Sequence, residues 1–262
     1  MPLAVGVPGA AGRMGRMLVQ LIGETPGLSL AAALERPDSP ALGEELAPGV
    51  RIDGDVDGAL ARSQVLVDFT APAATAQLVA RAAHKRVAMV IGTTGCGPEE
   101  LQAIWKASST IPIVMSANMS LGVNVLFGLL AEAARALGDD YDVEIVELHH
   151  RLKKDSPSGT ALAMAKVLAE TLGRDLAKEA RYGREGNLGA RTKKEIGVLA
   201  VRGGDIVGEH TAYFCGLGER LEITHRASSR ETFARGALRA AEWLKGRPAG
   251  LYDMQDVLGL RK

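Results

Sequence analysis

Cysteine is scarce in this sequence of 262 residues, which contains only Cys96 and Cys215. So few cysteines provide no disulfide framework of the kind that small secreted domains use, and a reducing compartment is therefore expected. An excess of charge is also missing, since Lys and Arg together number 31 and so do Asp and Glu. Such a balance gives no polybasic tract for nucleic acid or for a membrane surface. A small molecule is the expected partner.

Long apolar stretches and a leader segment are missing as well. No uninterrupted run of 18 apolar residues is present, so the sequence does not predict a membrane-spanning helix. The first residues, Met1 to Val5, lead directly into a predicted strand and lack the pattern of a signal peptide. These absences favour a cytoplasmic protein. A chain of 262 residues is long enough for one large domain or two modest ones.

The beginning of the sequence has the order of a dinucleotide-binding unit. An apolar run at 3–7 precedes a glycine-rich turn at 9–15, and a helix-like segment follows at 17–22. Glycines permit a tight turn close to a pyrophosphate, and the N-terminus of the next helix attracts the phosphates. The spacing is G-x-x-G-x-x-G, which is weak by itself because Ala11 stands where the common fingerprint has its middle glycine. The turn residues predicted to bind the cofactor are Gly9, Ala10, Ala11, Gly12, Arg13 and Met14.

A second apolar run at 28–34 ends in Glu35 and Arg36. An acidic residue at about this distance from the turn is typical of one that binds the adenosine ribose, although Glu35 could be an ordinary charge at a strand end. Arg36 and Arg13 have forked donors that suit the 2′-phosphate of NADP, or they are simply solvated.

Strand-like and helix-like segments alternate in the first half of the chain. The apolar runs 65–69 and 87–91 are each followed by a polar or glycine-rich turn and then by a helical pattern. This alternation predicts a Rossmann-type, doubly wound parallel sheet, whose ligands bind at the carboxyl ends of the strands. The turns 92–95 and 116–119 stand at such ends.

After Ser120 the pattern changes. A long helix is predicted over 123–137, and the later β-like segments no longer alternate with helices; they cover 143–148, 196–201, 206–214 and 220–224. This arrangement predicts a second α+β domain with a mixed open sheet that has helices on one face.

The greatest density of polar chemistry lies in the stretch Glu147–Ala161, which joins a predicted strand to a predicted helix at 160–172. Ser158 and Gly159 are good helix-start residues, and a helix N-terminus binds anions. His149 and Lys153 are natural proton donors, because histidine titrates near neutrality and lysine is both a cation and a potential acid.

The same stretch has two other interpretations. It could be a solvated, cationic loop with two exposed histidines. A metal site is disfavoured, because adjacent histidines on a strand point apart and no cysteine or acidic partner stands at ligand spacing. No metal is therefore expected.

The string from His149 to Ala161 resembles the signature of the dihydrodipicolinate reductase family. Other stretches are similar to that family in the same order, so that the resemblance covers almost the whole chain. They are Gly9–Gly15, Glu35-Arg36, Asp68–Thr70, Gly92–Gly95, Ser116–Ser120, Gly204–Thr211 and Ala227–Arg230.

This resemblance implies an NAD(P)H-dependent reduction of 4-hydroxy-tetrahydrodipicolinate in the diaminopimelate route to lysine, with both cofactors accepted. Catalysis is assigned to His149 and Lys153, whereas substrate binding is assigned to His150, Lys153, Ser158, Gly159 and Thr160. By resemblance the nicotinamide side is lined by Gly92, Thr93, Thr94, Ser116, Ala117, Asn118 and Met119.

The resemblance also implies a discontinuous dinucleotide-binding domain, 1–120 with 229–262, and a substrate-binding and oligomerisation domain at 121–228. A homotetramer is expected. Two competing hypotheses remain: another Rossmann reductase of an amino-acid pathway, with Cys96 as its thiol, and a non-catalytic NAD(P)-sensing protein. The His149-to-Thr160 cluster disfavours a sensor, which needs no proton donor beside an anion site.

Overall fold

The computed structural model describes residues 1–261, and the chain divides into two compact units. The first unit is Met1–Leu121 with Glu231–Lys262, and the second is Gly122–Arg230. The sequence analysis placed the corresponding boundaries at 120/121 and 228/229.

Strands and helices follow the chain in an α/β order. The strands are β1 (Leu3–Pro8), β2 (Leu28–Leu34), β3 (Glu45–Ala47), β4 (Val50–Asp53), β5 (Val65–Asp68), β6 (Ala88–Ile91), β7 (Pro112–Met115), β8 (Asp142–His149), β9 (Ala180–Tyr182), β10 (Ile196–Arg202), β11 (Gly208–Cys215), β12 (Arg220–Ala227) and β13 (Gly250–Tyr252). The helices are α1 (Arg13–Glu24), α2 (Val56–Arg62), α3 (Pro72–Lys85), α4 (Pro98–Ser108), α5 (Leu121–Leu137), α6 (Gly159–Thr171), α7 (Leu176–Glu179), α8 (Glu231–Trp243) and α9 (Met254–Val257), with a short 3₁₀ turn at Gly138–Asp140.

The first unit is built on an eight-stranded sheet in the order β13-β7-β6-β5-β1-β2-β4-β3. Its neighbouring strands pair in parallel, except β3 and β4, which pair antiparallel at one edge. The four residues of β5 are all buried, as expected for a central strand covered on both faces. The predicted doubly wound parallel sheet is therefore confirmed.

The second unit contains a five-stranded mixed sheet in the order β12-β11-β8-β10-β9. Strand β8 is parallel to β10 and antiparallel to β11. Burial alternates along β8, with Val143 and Ile145 buried in a core that includes Met164 and Leu168 of α6. We call this the inner face of the sheet, and the opposite side its outward face.

Helix α5 and the turn that follows it, Leu121–Asp140, are long and apolar enough to cross a membrane by length and composition alone. This segment was not predicted as a span because Glu132 and Arg135 interrupt its apolar run, whereas its mean hydropathy remains high despite them. Core helices can meet the same criterion, and Leu126, Leu130 and Ala134 of this helix are buried in the core of the second unit.

Candidate active site

The glycine-rich turn after β1 brings the start of α1 close to the backbone. Gly9 has a φ of +68°, a left-handed conformation that glycine adopts without a steric penalty. A Cβ atom at Gly15 would lie 2.6 Å from the Cα atom of Ala10 and would collide with the Gly9 carbonyl oxygen. Glycine at position 15 thus lets the start of α1 pack directly on the turn, which is the arrangement of turn and helix N-terminus typical of pyrophosphate binding.

Glu35 follows β2 and lies against this turn, because its carboxylate accepts a hydrogen bond from the Ala11 N–H at 3.1 Å. Arg36 is largely exposed, and its Nε atom lies 3.4 Å from the Asp38 carboxylate. Arg13 is exposed. The structure therefore places Glu35 at the turn, and it gives Arg36 an acidic neighbour that the sequence analysis did not consider.

The turns at the carboxyl ends of β6 and β7 follow adjacent strands. The Ser116 hydroxyl donates to the Asn118 carbonyl oxygen at 2.9 Å, and the Asn118 side chain accepts from the Ser120 N–H at 2.9 Å. A Cβ atom at Gly92 would lie 2.7 Å from Cδ1 of the Phe69 ring. The turn after β7 is therefore closed by its own hydrogen bonds, and the turn after β6 packs against the Phe69 ring.

Asp68 is a buried acid at the end of β5 to which the sequence analysis assigned no role. Its carboxylate accepts hydrogen bonds from the Thr70 N–H and hydroxyl at 2.9 and 2.6 Å and from the Thr75 hydroxyl at 2.7 Å. The Thr75 hydroxyl lies 2.9 Å from that of Thr93. Burial raises the pKa of Asp68, and the hydrogen bonds from Thr70 and Thr75 partly oppose this. Asp68 thus connects the turn after β5 with the predicted nicotinamide-side turn.

Cys96 lies in a setting that disfavours a reactive thiolate. Burial raises the pKa of its thiol, and the charges of Glu100 and Asp68 raise it further. A catalytic cysteine needs the opposite environment, with a lowered pKa.

In the second unit, four polar side chains meet on the inner face of the sheet near the end of β8. Register pairs Glu147 with His210 of β11 and His149 with Arg202 of β10. The sequence analysis assigned no role to Arg202 or His210, and it named Glu147 only as the start of the polar stretch. Their signal in the sequence is weak: Glu147 and His210 occupy inward positions within β-like runs, and Arg202 directly follows one.

The Glu147 carboxylate is completely buried and accepts four hydrogen bonds. His149 Nδ1 lies at 2.6 Å, the two Nη atoms of Arg202 each lie at 2.8 Å, and the Ser158 N–H lies at 3.0 Å. Burial alone would raise the pKa of Glu147, but the hydrogen bonds from Arg202 and His149 outweigh it and hold the pKa below its usual value. The carboxylate is therefore ionised at neutral pH.

An ionised carboxylate can only accept, so His149 Nδ1 carries the hydrogen of this bond and Nε2 is the nitrogen left for chemistry. Burial lowers the pKa of His149, the Glu147 hydrogen bond and charge oppose this, and the charges of Lys153 and Arg202 lower it further. Donation of a proton from Nε2 requires the charged ring, and the Glu147 hydrogen bond and charge are the two contributions that favour this form.

His210 packs edge-on against His149, with ring centroids 5.2 Å apart. Burial lowers the pKa of His210 to about 4, so its ring is neutral near pH 7. Its Nε2 atom lies 3.0 Å from the Ser158 hydroxyl. Ser158 caps α6 by accepting a hydrogen bond from the Ala161 N–H at 3.1 Å. The start of α6 is thereby anchored to Glu147 and His210.

The loop after β8 brings a cation to the same group. Lys153 Nζ pairs with the Asp155 carboxylate at 2.8 Å, and the Lys153 N–H donates to the His150 carbonyl oxygen at 3.1 Å. Gly159 and Thr160 form the first turn of α6, where Gly159 is exposed and Thr160 half-buried. The predicted catalytic and substrate-binding residues thus share the second unit, whereas the predicted cofactor-binding residues belong to the first.

Among residues 1–261, no group of three or more His, Cys, Asp or Glu side chains converges as metal ligands would. The histidine group described above is instead built from hydrogen bonds to a carboxylate, a guanidinium and a hydroxyl.

Two family models match consecutive parts of the chain. "Dihydrodipicolinate reductase, N-terminus" matches residues 3–119, and "Dihydrodipicolinate reductase, C-terminus" matches residues 122–258. The chain is 56% identical to the 4-hydroxy-tetrahydrodipicolinate reductase of Nitrosomonas europaea, with 99% of each chain covered. It is 54% identical to the enzyme of the same name from Syntrophotalea carbinolica, with 99% of this chain and 100% of the relative covered.

A solved structure shares the fold. It is a dipicolinate-bound dihydrodipicolinate reductase from Paenisporosarcina sp. TG-14, with a TM-score of 0.79 and 22% identity. The similarity covers 98% of this chain and 99% of that chain.

Proposed function

This chain belongs to the dihydrodipicolinate reductase family, and from that membership we propose that it reduces 4-hydroxy-tetrahydrodipicolinate to tetrahydrodipicolinate with NADH or NADPH in the diaminopimelate route to lysine. The family models span residues 3–258, and relatives that bear the name of this enzyme are more than half identical over nearly the whole chain.

The observation that carries the proposed chemistry is the buried Glu147–His149 pair beside the start of α6. When bound, the nicotinamide cofactor supplies the hydride. The chain itself then has to orient a dicarboxylate and deliver a proton. We assign proton delivery to His149, through Nε2, and to Lys153, through Nζ.

Substrate binding uses the N-terminus of α6. The N–H groups in the first turn of a helix have no partner within the helix and attract anions. Gly159 and Thr160 hold one substrate carboxylate through backbone N–H and hydroxyl groups, and Ser158 keeps that turn in place. His150 and Lys153 supply further polar contacts with the substrate.

Cofactor binding uses the first unit. The bare turn at Gly9 and Gly15 fits the pyrophosphate, and the Glu35 carboxylate at that turn accepts hydrogen bonds from the ribose hydroxyls. Arg36 and Arg13 meet the 2′-phosphate of NADPH. Both cofactors are therefore accepted.

The competing hypotheses find less support. A thiol-dependent dehydrogenase would need a reactive cysteine, and the raised pKa of Cys96 opposes that role. A cofactor sensor would have no use for a histidine oriented by a buried carboxylate.

We also propose that the enzyme is a homotetramer that assembles through the outward face of the second sheet. Val146 and Leu148 of β8 lie beside Leu199 and Val201 of β10, and alternation along the strands directs these four side chains outward. Val201 is 46% exposed. An apolar face of this kind favours association of identical subunits.

The test compares His149→Ala and Lys153→Ala with wild type in a steady-state assay on enzymatically generated substrate, with NADH and NADPH side by side. Each variant should lose about 10²–10⁴-fold in turnover while keeping its cofactor affinity, because a positioned proton donor contributes about that much. Lys154→Ala is the matched control, since Lys154 is an exposed lysine in the same loop. Wild-type turnover in both site variants would refute the proton chemistry.

A further inference from the structure

We infer that Glu147 and Arg202 are positioning residues. They orient the His149 ring so that Nε2 is its reactive nitrogen, and they hold the Lys153 side chain in a defined position relative to that ring. This inference rests on the proposed function, in which His149 and Lys153 deliver the proton. It goes beyond it by assigning a function to two residues that do not themselves react.

Glu147 has no capacity left for chemistry. A carboxylate offers about four acceptor positions, and here four donor groups occupy them. Its side chain is completely shielded from solvent, so it cannot contact the substrate from this position. A buried ion pair contributes little net stability compared with apolar side chains of similar size. Orientation of its partners is the role that this geometry supports.

The surroundings of His149 agree with that orientation. A Cβ atom at Gly208 would lie 3.0 Å from Nε2 and 3.4 Å from Cδ2 of the His149 ring. Gly208 lies in β11 and has no positive φ, so its conformation does not require glycine. Glycine at this position leaves space beside Nε2 that a larger residue would narrow. The carboxylate fixes one edge of the ring, and a bare strand leaves room at the other.

Arg202 connects this histidine to the lysine. Its two Nη atoms bind both oxygens of Glu147, and Nη2 also donates to the Asp155 carbonyl oxygen at 2.8 Å. The Asp155 side chain in turn pairs with Lys153 Nζ at 2.8 Å. Contacts therefore run without a break from His149 to Lys153 through Arg202. Lysine could not replace this arginine, because an ammonium lacks the planar fork that makes these bonds together.

The experiment measures kcat and KM for Glu147→Gln and Arg202→Lys across the pH range in which histidine titrates, about 5 to 8. Near neutral pH, Glu147→Gln should lower kcat about 10²-fold, the lower end of what a positioned proton donor contributes, with an unchanged KM for NADH. The fall in rate at high pH should begin at lower pH, because the lost carboxylate no longer favours charged His149. Arg202→Lys should lower kcat roughly 10-fold or more. Substitution of a residue that orients a metal-bound histidine has an effect of about that size.

Arg174→Lys is the matched control. Arg174 is a buried arginine of the same unit that binds Asp139 at 2.7 Å, outside the proposed site. Its substitution should keep kcat and the pH profile of wild type. An Arg202→Lys variant that behaves like this control would overturn the role of Arg202.

A second readout does not depend on turnover. Long-range ¹H–¹⁵N spectra of the histidine-labelled full-length protein, recorded where His149 is neutral, should show the Nδ1–H tautomer in wild type and a mixture in Glu147→Gln. An unchanged tautomer and pH profile in that variant would overturn the inference. If wild type failed to reduce the substrate, the proposed function would fall, while the spectra would still decide whether Glu147 orients His149.

Discussion

At the scale of single residues, Asp38 is placed to influence cofactor choice. Its carboxylate lies 3.4 Å from the Arg36 guanidinium, which is the group proposed to meet the 2′-phosphate of NADPH. A phosphate and the Asp38 carboxylate would compete for the same N–H groups of Arg36. The Arg36–Asp38 ion pair should therefore weaken the binding of NADPH relative to that of NADH.

Substitution at these two positions should therefore act on NADPH alone and in opposite directions. Arg36→Ala should weaken the binding of NADPH roughly 10-fold or more, which is the effect of losing one charge-assisted hydrogen bond. The affinity for NADH should remain nearly unchanged. Asp38→Asn should tighten NADPH by no more than about a few-fold, because exposed ion pairs contribute little. Fluorescence titration with both cofactors checks this. Equal weakening of both by Arg36→Ala would mean that Arg36 does not act through the phosphate.

Asp68 provides a second prediction at this scale, on stability. Asparagine at this position removes the cost of burying a charge and can still accept hydrogen bonds from Thr70. The free energy of unfolding of Asp68→Asn should therefore stay within about 1 kcal/mol of the wild-type value. Alanine removes the carboxylate that accepts from the Thr70 N–H and hydroxyl and from the Thr75 hydroxyl, and only Thr75 keeps a neighbouring hydroxyl, that of Thr93. Asp68→Ala should therefore lose about 1–3 kcal/mol of unfolding free energy. Urea unfolding measures both. A loss with asparagine as large as the loss with alanine would show that the neutral amide does not replace the carboxylate and would contradict this prediction.

At the scale of structural elements, the inner face of β8 and β11 should make stability depend on pH. His210 is buried and neutral, and its pKa falls from 6.5 to about 4 on folding, mainly through burial. As the pH falls below 6.5, the unfolded chain takes up a proton that the folded chain refuses. The stabilisation by neutral His210 is therefore present above pH 6.5 and is lost as the pH falls toward 4.

This loss should amount to roughly 3 kcal/mol of unfolding free energy for His210, since each pKa unit is worth about 1.4 kcal/mol. His210→Gln should unfold with a pH dependence reduced by about one proton between pH 6.5 and 4. Urea unfolding at several pH values measures the difference, with the exposed His84→Gln as control. An identical slope in His210→Gln and wild type would contradict the burial argument.

At the scale of the whole molecule, we expect the outward face of the five-stranded sheet in the second unit to hold the subunits together. Val201→Glu introduces a charge on the outward face of β10, within the proposed interface, and should shift the protein from a tetramer toward smaller species. Light scattering at micromolar protein measures the mass. Trp105→Glu is the control, because Trp105 is 71% exposed on α4 of the first unit, outside the proposed interface. A wild-type monomer would refute the tetramer.

Local patterns in the sequence were sufficient for the long elements. The strand, glycine turn and helix at 3–24 and the alternating strand β8 follow from apolar spacing over neighbouring residues. Strands β3, β4, β9 and β13 were not predicted, because they have only three or four residues and lack the continuous apolar run that marks the equally short β5 and β6. The return of the chain to the first unit at Glu231 was expected only from family resemblance, since no local pattern encodes it.

The sequence by itself determined the candidate chemistry: a dinucleotide turn, and a loop with two histidines, a lysine and a helix start. Only the tertiary structure decided which partners tune that chemistry. Arg202 and Glu147 are 55 residues apart, and His210 and Ser158 are 52 apart, yet the pairing of β8 with β10 and β11 and the packing of α6 make them neighbours. Alternation along a strand specifies the face on which a side chain lies. Which side chains meet there depends on pairing between distant strands, and a single sequence does not contain that register in any local form.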